Sequence, residues 1–396
     1  MRVLSVTAQK PCSTGSGVYL TEVVRSLAKM GVSQAVVAGV TREDRVDMPE
    51  GVTVYPVYFS SEKLPYPVVG MSDEMPYTST RYRDMTEEMA GQFKAAFLEV
   101  LDEAIEKENP DIILCHHLYY LTELIRAHYP AKKVYGFCHN TDLRQMESIS
   151  FEKNFIRQEI PKLDRIFALQ EAQKEKIKKI YPVSEKQMTV IGTGYNSEVF
   201  KKTGIKSSRK DGKIRMIFAG KITQKKGVKS LLRALNLLDY EKEKIQLILA
   251  GGAGNLVEYE EIKELADGCR YPVVFAGCVT QSRLAELYND CDIFVLPSMY
   301  EGLPLTVIES LACGDRVVMT KLEGIAEWLA DMVPDADIRY VLPPGMKGTD
   351  EPLEEELPEF ESRLAEALRE AIEEKDTKEC DVSRISWQKI AREVIR

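Results

Sequence analysis

The stretch Asp292-Ile-Phe-Val-Leu-Pro297-Ser-Met-Tyr-Glu301-Gly-Leu-Pro304-Leu-Thr-Val-Ile-Glu309 carries more information about the fold than any other segment of this chain. The apolar run at 293–296 is typical of a buried strand. After Pro304 the chain has helical character, and proline suits the first position of a helix. The pattern predicts a strand, a turn that holds Glu301, and a helix in which Glu309 lies more than one turn from the start.

This predicted unit has the form of an anion-binding site. A helix that begins at the carboxyl end of a parallel strand presents free backbone N–H groups and the positive end of its dipole, and both favour a phosphate group. The carboxylates of Glu301 and Glu309 flank the helix start and can accept hydrogen bonds from sugar hydroxyl groups. The segment therefore predicts a nucleotide-sugar site.

Strand-like and helix-like runs alternate along the whole chain, which predicts an α/β protein with doubly wound parallel sheets. Its 396 residues are too many for one ordinary core and suit two domains. We place an N-terminal Rossmann-like domain at residues 1–196 and a C-terminal Rossmann-like domain at residues 197–383, and residues 203–212 resemble a linker. The acidic segment 350–379 keeps helical spacing of its apolar residues, which predicts an amphipathic helix.

The composition limits the classes of partner. The net charge of −9 argues against a nucleic-acid binder. No apolar run approaches the roughly 20 residues of a membrane span, and the N-terminus begins as a strand without a signal-peptide pattern. We therefore expect a cytoplasmic protein. The lysines of segment 174–179 fit a solvated helix face, or a contact with an anionic membrane surface or a polyanionic acceptor.

The eight cysteines are scattered without CxxC pairs. Most of them stand in apolar contexts, such as Cys115, Cys138, Cys278 and Cys313. Buried free thiols in a reducing compartment are the prediction.

Lys221 and Lys226 follow the strand-like run 215–219 and precede a helix, which puts them at the carboxyl end of a strand. Two ammonium groups there are suited to hold a diphosphate and to stabilise its charge as it departs. Lysines are also common in surface loops. The glutamate motif two βα units later favours the functional interpretation.

Two glycine-rich turns follow predicted strands. Gly251-Gly-Ala-Gly254 permits close approach of a ligand to the backbone, although it is not a GxGxxG motif. Gly15-Ser-Gly17 lies at a helix start after the first strand and lacks the third glycine of a dinucleotide fingerprint. Each turn is a weak signal by itself.

Three histidines follow predicted strands. His139 directly follows the run 134–138, so we expect it to face a ligand at the carboxyl edge of the sheet. His116 and His117 follow the run 112–115. Because adjacent residues of an extended chain face opposite sides, we expect these two not to bind one metal ion.

Asp290-Cys-Asp292 spells the DxD pattern that binds a metal in other transferases. Here it precedes its strand and so lies at the opposite edge of the sheet, where we interpret it as a helix end and a strand entry. The sequence contains no HExxH, EF-hand loop or paired CxxC, and no GxSxG. We therefore predict no metal, no cofactor and no Ser or Cys nucleophile.

In these residues and in the segments around them, the chain resembles the family 4 retaining glycosyltransferases. The resemblance rests on three groups of segments in the second half: Phe218-Ala-Gly-Lys221 with Lys226-Gly227, Leu249-Ala-Gly-Gly252 with Val274-Phe-Ala-Gly277, and Tyr288 through Asp292 to the E-x7-E pair of Glu301 and Glu309. It is thinner in the first half. It implies a GT-B fold with two Rossmann-like domains facing a deep cleft, the acceptor on the first, and the last helix, about 384–396, packed on the first domain.

The resemblance also implies residue roles. Glu301, His139, Lys226 and Lys221 are the implied catalytic group, with Lys221 standing where the family usually has an arginine, so the bidentate fork is lost. The implied donor contacts are Gly17, Lys221, Lys226, Gly252, Gly277, Cys278, Val279, Glu301, Gly302, Leu303, Pro304, Leu305, Thr306 and Glu309. The predicted acceptor contacts are His116, His117, Tyr119, Asp142 and Arg144.

The leading hypothesis is a metal-independent retaining glycosyltransferase that moves a hexose-type sugar from a UDP- or GDP-linked donor to a saccharide or lipid-linked acceptor by same-face attack. Other enzymes on this architecture remain open, namely a sugar-nucleotide 2-epimerase and, less well supported without GxGxxG, an NAD-dependent oxidoreductase. A non-catalytic nucleotide-sugar binding protein is the third class. The sequence does not identify the base, the sugar, the linkage or the oligomeric state.

Overall fold

The computed structural model describes residues 1–11, 13–73, 75–348, 351–374 and 380–396. These residues form two compact units: unit 1 comprises Met1–Gly194 with Trp387–Arg396, and unit 2 comprises Tyr195–Ser386. The strands in chain order are β1 (Arg2–Thr7), β2 (Ser33–Val40), β3 (Thr53–Tyr58), β4 (Val69–Gly70), β5 (Thr80–Arg81), β6 (Ile112–His116), β7 (Val134–Phe137), β8 (Arg165–Ala168), β9 (Met188–Val190), β10 (Ile214–Ala219), β11 (Ile245–Ala250), β12 (Val273–Gly277), β13 (Ile293–Leu296), β14 (Arg316–Thr320), β15 (Ile338–Val341), β16 (Met346–Lys347) and β17 (Glu351–Pro352). The helices are α1 (Gly15–Lys29), α2 (Glu87–Glu108), α3 (Tyr120–His128), α4 (Thr141–Ser148), α5 (Lys153–Glu159), α6 (Glu171–Ile180), α7 (Ile205–Ser208), α8 (Val228–Asn236), α9 (Leu256–Asp267), α10 (Gln281–Asp290), α11 (Leu305–Ala312), α12 (Ile325–Met332), α13 (Leu357–Glu373) and α14 (Trp387–Val394).

The main sheet of unit 1 has the order β3-β2-β1-β6-β7-β8-β9, and its neighbouring strands are parallel. All residues of β2 except the first are buried, as expected for a parallel strand that is covered on both faces. The order of the strands reverses between β1 and β6. This reversal is the place where the doubly wound topology leaves a crevice at the carboxyl edge of the sheet.

Helix α1 follows β1 and packs its apolar face against β1 and β2 of the main sheet. Leu20 and Leu27 are fully buried on that face. The side chain of Thr14 caps the helix and accepts a hydrogen bond from Gly17 N at 3.1 Å. Gly15 and Gly17 therefore belong to the first turn of α1, in agreement with their predicted place at a helix start.

The last helix, α14, belongs to unit 1 and contacts α1. The rings of Trp387 and Tyr19 meet edge to face at 4.9 Å, and the Tyr19 hydroxyl donates to Gly192 O at 3.1 Å. Arg165 donates to the carboxylate and the carbonyl of Glu393. These contacts bind the C-terminal segment to the first residue of β8 and to α1.

The main sheet of unit 2 has the order β12-β11-β10-β13-β14-β15, again with parallel neighbours. The order reverses between β10 and β13. The predicted acidic amphipathic helix is confirmed over the described residues as α13, which buries Phe360, Leu364 and Leu368 on one face. This apolar face packs beside β14 and β15, and the buried Glu361 of the same helix pairs with Arg233 at 3.1 Å.

The segment that resembled a linker, residues 203–212, is instead bound to unit 2. Thr203 N and Oγ1 both bond to Asn289 Oδ1, at 2.8 and 2.9 Å. Lys206 Nζ lies 2.6 Å from Asp315 Oδ1, and Arg209 pairs with Asp292. Its polar and basic composition reflects these ion pairs, which the sequence alone did not reveal.

Two further expectations concern side-chain exposure. Cys115, Cys138 and Cys313 are buried free thiols, as predicted, but Cys278 is exposed. It stands directly after the edge strand β12, so nothing in the sheet covers it. On α6, Lys174 and Lys178 both pair with Glu185, which favours the solvated helix face over a bare basic surface.

None of the helices in the described ranges is long and apolar enough to span a bilayer.

Candidate functional site

The strand reversal in unit 2 brings two loops together at the carboxyl edge of the sheet. β10 and β13 are hydrogen-bonded neighbours, and the loops that follow them contain Lys221, Lys226 and Glu301. Met299 N donates to Lys225 O at 2.9 Å, which joins the two loops directly. Ligands of open α/β sheets bind at such a reversal, outside the carboxyl ends of the strands.

A glycine makes this close approach possible. Gly227 has φ +73°, and a Cβ atom built on it would lie 2.0 Å from the carbonyl oxygen of Pro297. Any side chain at this position would both strain the backbone and separate the two loops. Gly227 therefore sets the distance between the loop of Lys226 and the loop of Glu301.

Lys226 and Glu301 form an ion pair at this point. Lys226 Nζ lies 2.6 Å from Glu301 Oε1, and 24% and 13% of the two side chains are exposed. Lys226 is the last residue of a short 3-10 helix, Gln224–Lys226, in the loop that follows β10. The pair brings together the cation and the carboxylate that the sequence predicted as separate donor contacts.

Helix α11 begins one residue later than predicted. Pro304 is its N-cap, with φ −74° and ψ 110°, and Leu305 is the first helical residue. Leu303 is buried against the unit, while Gly302, Leu305 and Thr306 are partly exposed around the helix start. Glu309 lies in the second turn and is 6% exposed, so its carboxylate belongs to the base of the site.

Ser298 is a residue that the sequence analysis did not single out. It stands between β13 and Glu301, is 1% exposed, and its Oγ has no hydrogen-bond partner within the described part of the chain. Thr320, at the end of the neighbouring strand β14, has the same property. A hydroxyl residue at or just beyond the end of an apolar strand is the sequence signal that both positions share.

The glycine turn at 251–254 lies beside the loop of Lys221. A Cβ atom on Gly251 would lie 1.7 Å from Gly220 O, so the neighbouring strand already requires glycine there. Ile222 N donates to Gly252 O at 3.0 Å. Lys221, partly buried, is held between these two contacts.

The predicted contacts after β12 lie next to this turn. Gly277 has φ +68°, and Cys278 and Val279 follow it outside the strand. A Cβ atom on Gly252 would lie 2.8 Å from Cys278 Sγ. The carboxyl edge of unit 2 thus groups the turns after β10, β11, β12 and β13, and with them most of the predicted donor residues.

Unit 1 carries a histidine cluster at its own strand reversal. His116 ends β6, and its Nδ1 lies 3.0 Å from Nε2 of His139, which follows β7. The ring centroids of His116 and His117 lie 5.2 and 4.9 Å from that of His139. The expectation that His116 and His117 face opposite sides was wrong, because the strand ends at His116 and His117 adopts φ +78°.

Asp142 holds this cluster from inside. It is fully buried, and its Oδ2 accepts hydrogen bonds from Leu118 N at 2.8 Å and His139 N at 3.3 Å. The carboxylate thereby joins the loop after β6 to the loop after β7. Asp142 was predicted as an acceptor contact. In the structure its carboxylate holds the backbone of His139 and of Leu118, the residue after His117.

The other predicted acceptor residues are Tyr119, the N-cap of α3, and Arg144 on α4. Tyr119 is 2% exposed, and its ring meets that of Tyr82 at 4.8 Å. Arg144 reaches Asp73 Oδ2 at 3.4 Å, and Arg83 reaches the same atom at 2.7 Å. The guanidinium of Arg144 is therefore tied to the 60–85 segment.

The three clustered histidines are uncharged at neutral pH. Burial, followed by the nearby His117, lowers the pKa of His116 to about 3. Burial also lowers the pKa of His117, and it holds the pKa of His139 well below its usual value, with His117 and His116 adding to the effect. Among the described residues, no group of three or more His, Cys, Asp or Glu is arranged to hold a metal ion.

The DxD segment has a structural role, as predicted. Asp290 ends α10 and Asp292 precedes β13 at the amino edge of the sheet. Asp292 Oδ2 accepts from Arg215 N at 2.9 Å, and Asp290 Oδ2 lies 3.4 Å from Arg215 Nε.

Comparison with known proteins assigns both halves of the chain. Residues 13–199 match the family model of Glycosyltransferase Family 4, and residues 200–379 match that of Glycosyl transferases group 1. An uncharacterized glycosyltransferase of Methanocaldococcus jannaschii is 29% identical over 41% of this chain and 44% of its own length. An N,N'-diacetylbacillosaminyl-diphospho-undecaprenol α-1,3-N-acetylgalactosaminyltransferase of Campylobacter jejuni is 35% identical over 27% of this chain and 26% of its length.

A D-inositol 3-phosphate glycosyltransferase of Catenulispora acidiphila is 25% identical over 80% of this chain and 76% of its length. The chain thus spans less than half of the first two relatives and three quarters of the third. Among solved structures, sucrose-phosphate synthase of Thermosynechococcus elongatus superposes with a TM-score of 0.70 at 15% identity, covering 100% of this chain and 97% of that one. HepE of Anabaena, in complex with UDP and glucose, gives 0.65 at 15% identity, covering 100% and 98%. The predicted GT-B fold class, with two Rossmann-like units, is confirmed.

Proposed function

The chain belongs to the family 4 glycosyltransferases, and from this premise we propose that it is a metal-independent retaining glycosyltransferase. It would move a hexose-type sugar from a nucleotide-diphosphate sugar to a saccharide or lipid-linked acceptor. The observation that carries the proposal is the Lys226–Glu301 pair at the strand reversal of unit 2, at 2.6 Å. The proposal explains why a cation and a carboxylate meet where a ligand is expected.

Lys226 and Lys221 would hold the diphosphate. Both follow β10, and an ammonium group forms strong charge-assisted hydrogen bonds with phosphate oxygens. In the structure, Glu301 balances the charge of Lys226. When a diphosphate binds, Lys226 turns to it and the carboxylate of Glu301 becomes available to hydroxyl groups of the sugar.

Glu309 would bind the ribose. Glu309 lies on α11, eight residues after Glu301. It is only 6% exposed, so its carboxylate has little room to move with a ligand. The start of α11 adds backbone N–H groups and the positive end of the helix dipole, which favour phosphate and sugar oxygens. We therefore assign Glu301 to the sugar of the donor and Glu309 to its nucleoside.

The transfer step is a same-face substitution at the anomeric carbon. The bond between C1 and the phosphate oxygen breaks, and the electron pair leaves with the diphosphate. The acceptor hydroxyl oxygen forms the new bond to C1 on the same face, and its proton goes to the departing phosphate oxygen. Lys226 and Lys221 stabilise the negative charge that develops on that oxygen.

In this proposal Glu301 accepts hydrogen bonds from hydroxyl groups of the sugar, and no carboxylate attacks C1. Retention by a double displacement would need such a carboxylate. The two lysines supply positive charge at the diphosphate, which is the role of a divalent cation in other transferases. We therefore propose that the reaction runs without a metal ion.

The relatives support the donor and acceptor classes. The HepE structure holds UDP and glucose, and the names of the curated relatives describe acceptors that are an inositol phosphate and a diphospho-undecaprenol-linked sugar. For this chain the acceptor class rests on these likenesses and on the predicted contacts of unit 1.

The test is product analysis by NMR with a panel of UDP- and GDP-hexoses. A glycosyltransferase releases UDP or GDP, and the initial product of transfer or donor hydrolysis keeps the α configuration of the donor sugar. EDTA leaves the rate unchanged. A 2-epimerase instead changes the configuration at C2 of the sugar without an acceptor, and a binding protein gives no product. Either of those results, or a rate abolished by EDTA, contradicts the proposal.

A further inference from the structure

The histidine cluster of unit 1 contains a hydrogen bond between two imidazole rings. His116 Nδ1 and His139 Nε2 are 3.0 Å apart, so one of these nitrogens donates a proton and the other accepts it. Both rings are neutral, because burial lowers the pKa of each. A neutral imidazole carries one N–H, and therefore the direction of this bond fixes the tautomer of both residues.

In one arrangement, His139 donates from Nε2 to His116 Nδ1. The single proton of His116 then lies on its Nε2. That nitrogen is buried and has no hydrogen-bond partner among the residues that the structure describes. A buried N–H without an acceptor loses its hydration with no compensation, and such groups are rare in folded proteins.

In the other arrangement, His116 donates from Nδ1 to His139 Nε2. The buried Nε2 of His116 is then an unpaired acceptor, which folded proteins tolerate better than an unpaired donor. The proton of His139 lies on Nδ1. His139 is partly exposed, so its Nδ1 proton is not enclosed without an acceptor as the Nε2 proton of His116 would be.

The surroundings hold the two rings in this relation. The ring of His116 stacks on Phe137 at a centroid distance of 4.7 Å and an angle of 10°, and on His139 at 5.2 Å and 12°. Asp142 fixes the backbone of His139 through its N–H. The edge of Tyr19 closes the third side of His139 at 5.2 Å.

From this asymmetry we propose that His116 is a positioning residue that holds His139 in the tautomer with its proton on Nδ1. His139 then presents an N–H donor to the substrate instead of a lone pair. The identification of that substrate as a sugar rests on the proposed function; the tautomer does not. An N–H donor recognises a hydroxyl or phosphate oxygen, so His139 orients an oxygen of the substrate and does not remove the proton of the acceptor.

The direct test is an NMR spectrum of the full chain labelled with 15N-histidine, recorded near neutral pH. The chain has only four histidines, and single-site variants assign their signals. We expect protonated Nδ1 and bare Nε2 in both His116 and His139. Protonated Nε2 on either residue overturns the proposal in the wild-type protein, whether or not any variant folds.

Two substitutions of His116 distinguish a role in positioning His139 from a role in packing against its ring. His116→Phe keeps the aromatic stack and loses the donor, whereas His116→Asn keeps an N–H near the position of Nδ1. We expect the His139 signal to move toward the Nε2–H form in His116→Phe and to stay as in the wild type in His116→Asn. An unchanged His139 signal in His116→Phe contradicts the proposal.

The same variants give a kinetic readout in the glycosyl-transfer assay. We expect kcat of His116→Phe to fall at least tenfold with the donor KM within twofold, and His116→Asn to recover most of the loss. The control is His128→Gln. His128 lies on α3, outside the cluster, with its Nε2 3.6 Å from Asp102 Oδ1, and we expect this variant to keep the wild-type rate. Equal rates in His116→Phe and His116→Asn overturn the positioning role. If the tautomers are as expected and no sugar is transferred, the proposed function fails and this proposal stands.

Discussion

Lys226 Nζ lies 2.6 Å from Glu301 Oε1, although 75 positions separate the two residues in the chain. One residue follows β10 and the other follows β13, and these two strands are neighbours at the point where the order of the sheet reverses. The ion pair therefore marks the crevice that the topology of unit 2 creates.

Gly227 is the first requirement. It has φ +73°, and a Cβ atom would lie 2.0 Å from Pro297 O, a backbone atom that cannot rotate away. We expect Gly227→Ala to destabilise unit 2 by roughly 1–3 kcal/mol beyond the cost of the positive φ, because the two loops must separate. We also expect it to weaken binding of the nucleotide diphosphate. Denaturant unfolding and a binding titration measure the two effects.

Gly204→Ala is the matched control, since Gly204 has φ +78° in the same unit and a Cβ atom there meets nothing within 4 Å. Both variants carry the strain of a left-handed alanine, about 1 kcal/mol. Only Gly227→Ala adds the collision with Pro297. Equal losses of stability in the two variants would show that the approach of the loops is not tight.

Glu301 is expected to act on the sugar through its charge. In Glu301→Gln the side chain keeps its shape and loses the charged hydrogen bonds, which are worth about 1.5–3 kcal/mol. We expect kcat/KM for the nucleotide sugar to fall roughly 10- to 100-fold, while affinity for the free nucleotide diphosphate falls much less. Steady-state kinetics and calorimetry give the two numbers.

Glu261→Gln is the control for Glu301→Gln. Glu261 forms an ion pair of the same length, 2.6 Å, with Lys229 on the surface of unit 2. It should keep wild-type kinetics. A loss in Glu261→Gln as large as that in Glu301→Gln would assign the effect to surface charge and not to the site.

Glu123 makes the stability of unit 1 depend on pH. Both of its carboxylate oxygens are buried without a partner among the described residues, and burial, followed by the charge of Glu152, raises its pKa from 4.5 to about 8. The folded state holds the proton that the unfolded state has lost. The contribution to stability is therefore fully present below pH 4.5 and is lost as the pH rises to about 8.

We expect Glu123→Gln to gain stability relative to the wild type as the pH rises, by a few kcal/mol between pH 5 and 8 at about 1.4 kcal/mol per pKa unit. Urea unfolding at a series of pH values measures this difference. The control is Glu88→Gln, an exposed glutamate on α2, which shows whether the loss of any glutamate of unit 1 gives the same pH dependence. A flat difference for Glu123→Gln would show that its carboxyl group is not held protonated.

The sequence predicted the strands of unit 2 well because they are short apolar runs with turn residues at both ends. The same pattern placed Lys226 and Glu301 at the carboxyl edge of one sheet. It did not predict that the two side chains touch, because that depends on Gly227 and the carbonyl of Pro297. Contacts between distant loops follow from packing, which no local pattern encodes.

The histidine cluster shows a second limit. Alternation along an extended chain predicted that His116 and His117 face apart, and this rule fails once the strand ends. His117 at φ +78° and Asn140 at φ +74° are both left-handed without being glycine. Such strained positions are held by their surroundings and are common at functional sites, and no local pattern of residues indicates them. Likewise, nothing local distinguishes Asp142, which joins two loops, from a carboxylate that contacts substrate.

Calorimetric titration of the full chain with UDP, GDP and ADP tests whether the donor site lies at the strand reversal of unit 2. We expect the wild-type protein to bind at least one of these diphosphates, and Lys226→Ala to bind it about 10- to 100-fold more weakly because one charge-assisted hydrogen bond is lost. Lys229→Ala, which removes the lysine of the equally short surface pair with Glu261, keeps the wild-type affinity. If none of the diphosphates binds, or if Lys226→Ala binds as tightly as the wild type, the donor site is not at the strand reversal of unit 2.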